Sequence, residues 1–167
     1  RQEKSLRWCA DDAYLLAPGY VYVSEQPVRL LAVVGICVAV CIWDRRLRRG
    51  GMNHYIYPQA RDGARATPRT GDAAITALFR AMLGAGSAAC DLEAWVFGGA
   101  VPEGAGRDIA EQARRNVEVA RRMLAAKNVP LVSEDVGGSF GRKIIFDMQN
   151  GQAMVYKVRS LREQDWR

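Results

Sequence analysis

The sequence contains a single histidine, and two of its four cysteines lie a short distance before it. Cys37 precedes His54 by 17 residues and Cys41 precedes it by 13. A nucleophilic cysteine needs a base to form its thiolate and a proton donor for the leaving group, and one imidazole can serve both steps. These residue types allow cysteine-based hydrolysis. The alternative is that both thiols are inert core residues and that the histidine is structural.

Glycines stand close to both candidate residues. Gly35 lies two residues before Cys37, and Gly51 lies three residues before His54. A glycine before the cysteine lets the main chain turn sharply and lets a substrate carbonyl approach the local N–H groups, which could stabilise an oxyanion. We therefore expect Gly35, Ile36 and Asn53 to bind the oxyanion or shape the site.

Composition limits the classes of protein. The chain has 167 residues, of which 49% are hydrophobic and 25% charged, and a formal net charge of +6. This balance predicts one folded domain and excludes disorder as the main state. The spacing of the cysteines and the single histidine fit no zinc motif, so we expect no metal, and nothing indicates a cofactor. The longest apolar run, residues 30–43, is shorter than the roughly 20 residues of a membrane-spanning helix, which argues against membrane insertion. Free thiols without an export signal predict a cytoplasmic protein.

The charged and glycine-rich segments have alternative interpretations. The arginines of residues 45–49 could bind nucleic acid, but no aromatic residues alternate with them, so we expect a solvated loop or a surface for an acidic helix, and no nucleic-acid partner. Gly98-Gly99 and Gly137-Gly138 lack the Lys-Ser/Thr of a phosphate-binding loop, which favours tight turns near the site. The pair Glu134-Asp135 is expected to accept bonds from arginine or main-chain N–H groups.

Hydrophobic periodicity predicts an α+β fold, a layered sandwich of mostly antiparallel sheet with two main helices on one side. Thr70 is a candidate cap for the first helix, and Asp108 with Glu111 resembles a capping box for the second. We expect a flexible N-terminal arm at residues 1–13, a single domain at 14–160 and a C-terminal tail at 161–167. The predicted strands are 15–23 with a break at Pro18-Gly19, 28–34, 37–43, 52–57, 92–97, 131–136, 144–147 and 153–158, and the predicted helices are 72–83 and 108–127.

Several motifs together resemble a known family. Residues 35–44 read Gly-Ile-Cys-Val-Ala-Val-Cys-Ile-Trp-Asp and residues 50–54 read Gly-Gly-Met-Asn-His, which is similar to the signature of the chemoreceptor glutamine deamidase family, CheD. The resemblance continues through residues 97–100, 115–116 and 134–143, and it covers about residues 18–158. It is specific because separate blocks occur in the same order.

The resemblance implies a function and a site. Cys37 would be the nucleophile and His54 the general base and acid of a protein-glutamine glutaminase, which converts glutamines on the cytoplasmic helices of chemotaxis receptors to glutamate. Family members also bind a CheC-type phosphatase. The alternative within the family is a catalytically weakened member that acts as a binding module for receptors or for such a phosphatase.

The sequence departs from the family pattern at four positions. The family's threonine six residues before the cysteine, which orients the imidazole, is Leu31 here. Because leucine has no side-chain acceptor, we expect a main-chain carbonyl near Leu31 to orient His54; the alternative is that activity is reduced or absent. The other three departures are Ile36 in place of serine, Ala113 in place of glycine, and Thr70 in place of an aromatic residue.

Overall fold

A computed structural model provides the structure of the protein, and it describes residues 6–8 and 13–159. Within the predicted N-terminal arm, residues 6–8 form a strand, and the remaining residues up to 12 lie outside the described part. The predicted tail at 161–167 also lies outside it. In chain order the described elements are β1 (Leu6–Trp8), β2 (Tyr14–Leu16), β3 (Tyr20–Ser24), β4 (Arg29–Val34), β5 (Val38–Asp44), β6 (Arg49–His54), α1 (Gly71–Gly84), β7 (Leu92–Gly98), α2 (Arg107–Ala126), β8 (Leu131–Val136), β9 (Gly141–Asp147) and β10 (Gln152–Val158).

The strands form two five-stranded sheets. The first sheet has the order β1-β2-β4-β9-β10, and the second sheet has the order β3-β6-β5-β7-β8. Only β2 with β4 and β7 with β8 are parallel; the other six pairings are antiparallel. The predicted strand at 15–23 is broken at Pro18-Gly19, and its two halves, β2 and β3, belong to different sheets. This break brings the end of the first sheet next to the second.

The protein has three layers, the first sheet, the second sheet and the helices, and the side chains of β5 alternate between the two interfaces that separate them. Ala39, Cys41 and Trp43 pack between the two sheets, whereas Val40 and Ile42 pack against the helices. A strand whose two faces are both covered reads as a continuous apolar run, which is why residues 37–43 carry no polar alternation. Both helices pack on the second sheet. The predicted α+β sandwich with two helices on one side is confirmed.

The ends of the helices differ in part from the predictions. Thr70 occupies the cap position of α1, but its hydroxyl bonds the carbonyl of Thr67 and the side chain of Asp72 instead of a helical N–H. The capping box predicted for α2 is wrong. The helix begins at Arg107 after Gly106, so Asp108 already lies inside the first turn and cannot act as the cap residue.

The long apolar run at residues 30–43 contains β4 and β5, which belong to different sheets and are joined by a bend. Within the described residues, no helix has the length and apolar character needed to cross a membrane.

Candidate active site

Cys37 lies at the end of the bend at residues 35–37, where the chain passes from the first sheet to the second. Its side chain is completely buried in the core between the sheets. Two main-chain hydrogen bonds hold the bend: the N–H of Ala100 donates to the carbonyl of Gly35 at 2.8 Å, and the N–H of Gly99 donates to the carbonyl of Cys37 at 2.9 Å. The loop after β7 therefore fixes the main chain on both sides of Ile36.

Gly98 permits this close contact. A Cβ at this position would lie 2.1 Å from the carbonyl oxygen of Cys37, and the φ angle of +117° is one that other residues rarely adopt. The N–H of Gly137 in turn donates to the carbonyl of Gly98 at 3.0 Å. Both glycine pairs have positive φ angles and lie beside the bend, but Gly98 still belongs to β7 and neither pair forms a hydrogen-bonded turn, so the prediction of tight turns at these pairs is corrected.

His54 ends β6, which is the neighbour of β5. The register pairs Cys41 with Met52, and an isolated bridge pairs Val38 with Tyr55. The same register places Ala39 opposite His54, so Cys37 is the diagonal neighbour of the histidine. Diagonal neighbours on one face of an antiparallel pair lie about 7–8 Å apart, within reach of long side chains. The register therefore places Cys37 and His54 on the same face of adjacent chain segments, whereas Nε2 of His54 forms no hydrogen bond with the Cys37 thiol.

Asn53 replaces a main-chain bond between the same two strands. The N–H of Val40 donates to the side-chain Oδ1 of Asn53 at 2.9 Å, where the regular ladder is interrupted. The strand pair is therefore held by a side chain next to His54. The oxyanion-binding or site-shaping role expected for Asn53 stays a prediction.

The imidazole of His54 is oriented by a main-chain oxygen. Its Nδ1 lies 3.0 Å from the carbonyl oxygen of Leu16, the last residue of β2. Because a carbonyl only accepts hydrogen bonds, Nδ1 must carry the hydrogen, and in the neutral ring Nε2 carries the lone pair. Nε2 is buried and has no hydrogen-bond partner among the described residues. The ring therefore presents an unprotonated nitrogen, as a general base requires.

A main-chain carbonyl orients the ring, as expected, but it belongs to Leu16, the residue after the strand partner of Leu31, and not to Leu31 itself. The main chain of Leu31 lies between β2 and β9 in the interior of the first sheet. Its side chain packs with Ala13 and Ile145 on the opposite side of that sheet from Cys37. The next residue, Ala32, is the one that faces the core containing Cys37.

Burial holds both reacting groups in their neutral forms. It raises the pKa of the Cys37 thiol to about 12, against a weaker opposing effect of the residue's own N–H. It lowers the pKa of His54 to about 4, against the opposing effect of the bond to Leu16. Since removal of charged groups from water is costly, the closed site contains a thiol and a neutral imidazole at pH 7.

Asn116 is the principal residue of the site to which sequence reasoning assigned no role. Its side-chain Nδ2 donates to the main-chain carbonyls of Ile36 at 2.9 Å and of Ile56 at 2.7 Å. Its main-chain carbonyl accepts a hydrogen bond from the hydroxyl of Tyr55 at 2.5 Å. It ties the residue before Cys37 to the segment after His54. The sequence signal that could have identified Asn116 is a polar residue within the apolar stripe of α2. The structure shows this residue to be fully buried, as a hydrogen-bonded polar group in a core must be.

The remaining charged candidates have structural partners. Arg121 binds Glu134, and Arg142 binds Asp135, as expected for these carboxylates. The arginines of residues 45–49 bond to nearby carbonyls and carboxylates within the protein.

Cys41 is a buried core thiol, and Cys9 lies outside the described residues. No group of three or more His, Cys, Asp or Glu side chains in the described ranges 6–8 and 13–159 is arranged to hold a metal ion.

Comparison with known proteins places the chain in a family. A sequence model of the family described as CheD chemotactic sensory transduction matches residues 57–157, more than half of the chain. Cys37 and His54 precede that match, but longer alignments with relatives cover 83–86% of the chain.

Three of these relatives have similar names. A protein of Anaeromyxobacter dehalogenans named "Probable chemoreceptor glutamine deamidase CheD 1" is 39% identical over 86% of this chain and 83% of its own length. Relatives from Trichlorobacter lovleyi and Sulfurimonas denitrificans, both named "Probable chemoreceptor glutamine deamidase CheD", are 36% and 34% identical, over 88% and 89% of their own lengths. The chain belongs to the CheD family.

Proposed function

We propose that this protein is a protein-glutamine glutaminase that hydrolyses the side-chain amides of specific glutamines on the cytoplasmic helices of chemotaxis receptors, and that it acts in the cytoplasm. The family membership and the names of the relatives support the reaction and the substrate. Each hydrolysis replaces a neutral amide with a carboxylate, so the receptor gains one negative charge per site.

In the proposed mechanism Cys37 is the nucleophile and His54 the general base and acid. The observation that carries this assignment is the bond from Nδ1 of His54 to Leu16, because it leaves Nε2 as the nitrogen that accepts a proton. Nε2 takes the proton of the Cys37 thiol as Sγ attacks the amide carbon. The C–S bond forms, the C–N bond breaks, and the imidazolium returns the proton to the departing ammonia.

Water completes the reaction. His54 takes a proton from the water as its oxygen attacks the thioester carbon, the C–S bond breaks, and the proton passes to Sγ. The products are glutamate and the regenerated thiol. Both steps use the same nitrogen, so one histidine supplies all of the proton transfers.

The bend at residues 35–37 is the proposed oxyanion site. Among the described residues, no main-chain acceptor takes the N–H groups of Ile36 or Cys37. The bonds that hold the carbonyls of Gly35, Ile36 and Cys37 fix the orientation of these peptide groups before substrate binds. Fixed N–H donors stabilise a developing oxyanion because they need no reorganisation during the reaction.

Substrate must enter a site that is closed in the unliganded protein. Tyr20 pairs with His54 across β3 and β6 and is 46% exposed, whereas His54 is 2% exposed. The face of the second sheet that carries the histidine thus reaches solvent at its next strand. We propose that the glutamine side chain enters past Tyr20.

The burial of Cys37 also favours a second candidate function. A thiol with no exposed surface and a pKa of about 12 is a poor nucleophile until it is deprotonated. A family member that never opens its site would act as a binding module for receptors or for a CheC-type phosphatase.

Mass spectrometry combined with a binding measurement separates the two functions. The protein is incubated with a receptor cytoplasmic fragment, and each glutamine is examined for the mass increase of about 1 Da that accompanies amide hydrolysis. Affinity for the same fragment is measured in parallel. A mass increase at defined glutamines supports the enzyme, whereas binding without any mass increase supports the module and contradicts the proposed activity.

A further inference from the structure

An open cavity among the described residues is separate from the buried thiol. It is a groove of about 840 Å³ between the segment at residues 57–70 and the first turns of α2. Residues 59–69 form a long connection without helix or strand, and we call this segment the arginine loop. It lies within the connection from β6 to α1, residues 55–70, and connections longer than about 12–15 residues in a compact domain are usually functional or linker segments.

Hydrogen bonds join the arginine loop and α2 to the segment that follows β6. The N–H groups of Ile56 and Tyr57 both donate to the carbonyl of Arg69, and Nε2 of Gln112 in α2 donates to the carbonyl of Ile56. The groove therefore begins three residues after His54. A partner bound in the groove lies beside the proposed substrate entrance.

The loop also contacts the turn before Tyr20. A Cβ on Gly19 would lie 2.9 Å from Cγ of Arg69, so the side chain of Arg69 packs on the main chain of this turn. Tyr20 and Tyr57 are 46% and 45% exposed. One continuous surface thus runs from the groove, across Arg69, to the tyrosine opposite His54.

The charges on this surface are unequally matched. Arg61, Arg65 and Arg69 are exposed and form no ion pair with any described residue. Among the carboxylates of the groove, that of Glu111 is already bound by Arg114 and Arg115, which lower its pKa. Asp62 and Asp108 are the other two acidic groups. Three unpaired guanidinium groups therefore face two unpaired carboxylates, and the excess of positive charge lies on the loop side of the groove.

Exposed tyrosine and arginine side chains are enriched at the energetic centres of protein interfaces. Guanidinium groups recognise carboxylates through paired N–H donors. A partner that fits this surface presents carboxylates to the loop, and it also presents a side chain narrow enough to enter past Tyr20.

We propose that the arginine loop and the two tyrosines form a docking surface for an acidic helical segment, in which carboxylates flank the glutamine to be hydrolysed. This inference rests on the proposed function and deepens it, because it defines the chemistry around the target glutamine. Residues far from Cys37 then determine which glutamines react.

Charge reversal on the loop tests the proposal. The variant R61E/R65E is compared with R80E/R122E, whose arginines are exposed, lie on α1 and α2 outside the groove, and form no ion pair with described residues. Both variants change the net charge by the same amount. We expect R61E/R65E to raise KM for a receptor fragment by about tenfold with kcat nearly unchanged, and R80E/R122E to change KM by less than about twofold.

The dependence on salt provides a second measurement. Affinity of the wild type should fall as ionic strength rises, and the slope should be smaller for R61E/R65E.

Equal KM values for the two variants would overturn the docking surface while leaving the deamidase activity intact. Absence of deamidation by the wild type would instead refute the proposed function, and the salt-dependent affinity for the fragment would still decide whether the loop binds it. A fragment whose flanking carboxylates are changed to alanine should lose the same affinity, and unchanged affinity would contradict the proposal.

Discussion

Nδ1 of His54 donates to the main-chain oxygen of Leu16 at 3.0 Å, and the two residues belong to different sheets. The bond sets the tautomer of the imidazole and leaves Nε2 free to accept a proton. It also makes the orientation of the base depend on the packing of the first sheet against the second. A hydroxyl side chain is therefore not required to hold the ring.

Two substitutions of His54 separate its structural bond from its chemistry. The amide nitrogen of H54N can replace Nδ1 as the donor to Leu16, whereas H54A leaves that buried carbonyl without a partner. We expect H54A to lower the free energy of unfolding by about 1–3 kcal/mol more than H54N. Both variants should lose about 10²–10⁴-fold in deamidation rate, because neither supplies a base. A measurable rate in folded H54N close to that of the wild type would contradict the assigned role of Nε2.

The same histidine predicts how stability depends on pH. Burial lowers its pKa from 6.5 to about 4, so between these values the unfolded chain binds the extra proton and the folded protein does not. The stability associated with His54 is complete above pH 6.5 and decreases as the pH falls toward 4, by up to about 3 kcal/mol. Denaturant unfolding of wild type and H54N across this range isolates the effect. Parallel curves for the two proteins would show that the imidazole is not buried in its neutral form.

Sequence patterns predicted most of the elements but not the contacts that connect them. The apolar run that became β5 was visible because both of its faces are covered, and the strands predicted at 144–147 and 153–158 lie within the antiparallel pair β9 and β10. Leu16 could not be found in this way, since its contribution is a main-chain oxygen 38 residues from His54. Main-chain groups are common to all residues and leave no pattern. The capping box failed for a related reason, because its side-chain spacing does not fix where the helix begins.

Leu31 provides a test of the corrected site. Its side chain packs on the side of the first sheet that faces away from Cys37, so the hydroxyl of L31T cannot reach the imidazole. We expect L31T to leave the deamidation rate unchanged and to lower the free energy of unfolding by about 1–3 kcal/mol, because a buried apolar side chain is shortened and made polar. If the missing hydroxyl limited the reaction, folded L31T would deamidate faster than the wild type. Such an increase in rate would contradict the orientation of His54 by Leu16.

Asn116 is predicted to position the bend that carries Cys37. In N116A the carbonyl of Ile36 loses its only side-chain donor, and that of Ile56 loses one of two. We expect a fall in kcat of at least about tenfold with little change in KM, together with a loss of about 1–3 kcal/mol in stability. Q112A is the matched control, because it removes a donor to Ile56 alone and should change kcat by less than about twofold. Equal effects of the two variants on kcat would show that the bond to Ile36 has no influence on the reaction.

The most direct test of the central claim compares the two buried cysteines. Cys37 and Cys41 pack in the same core between the two sheets, and both are completely buried, so C37A and C41A remove the same atoms from the same core. Deamidation of a receptor fragment is followed by mass spectrometry for folded samples of each variant and of the wild type. We expect C37A to produce no glutamate and C41A to retain a rate within about tenfold of the wild type. Continued conversion of glutamine by C37A would contradict the assignment of Cys37 as the nucleophile.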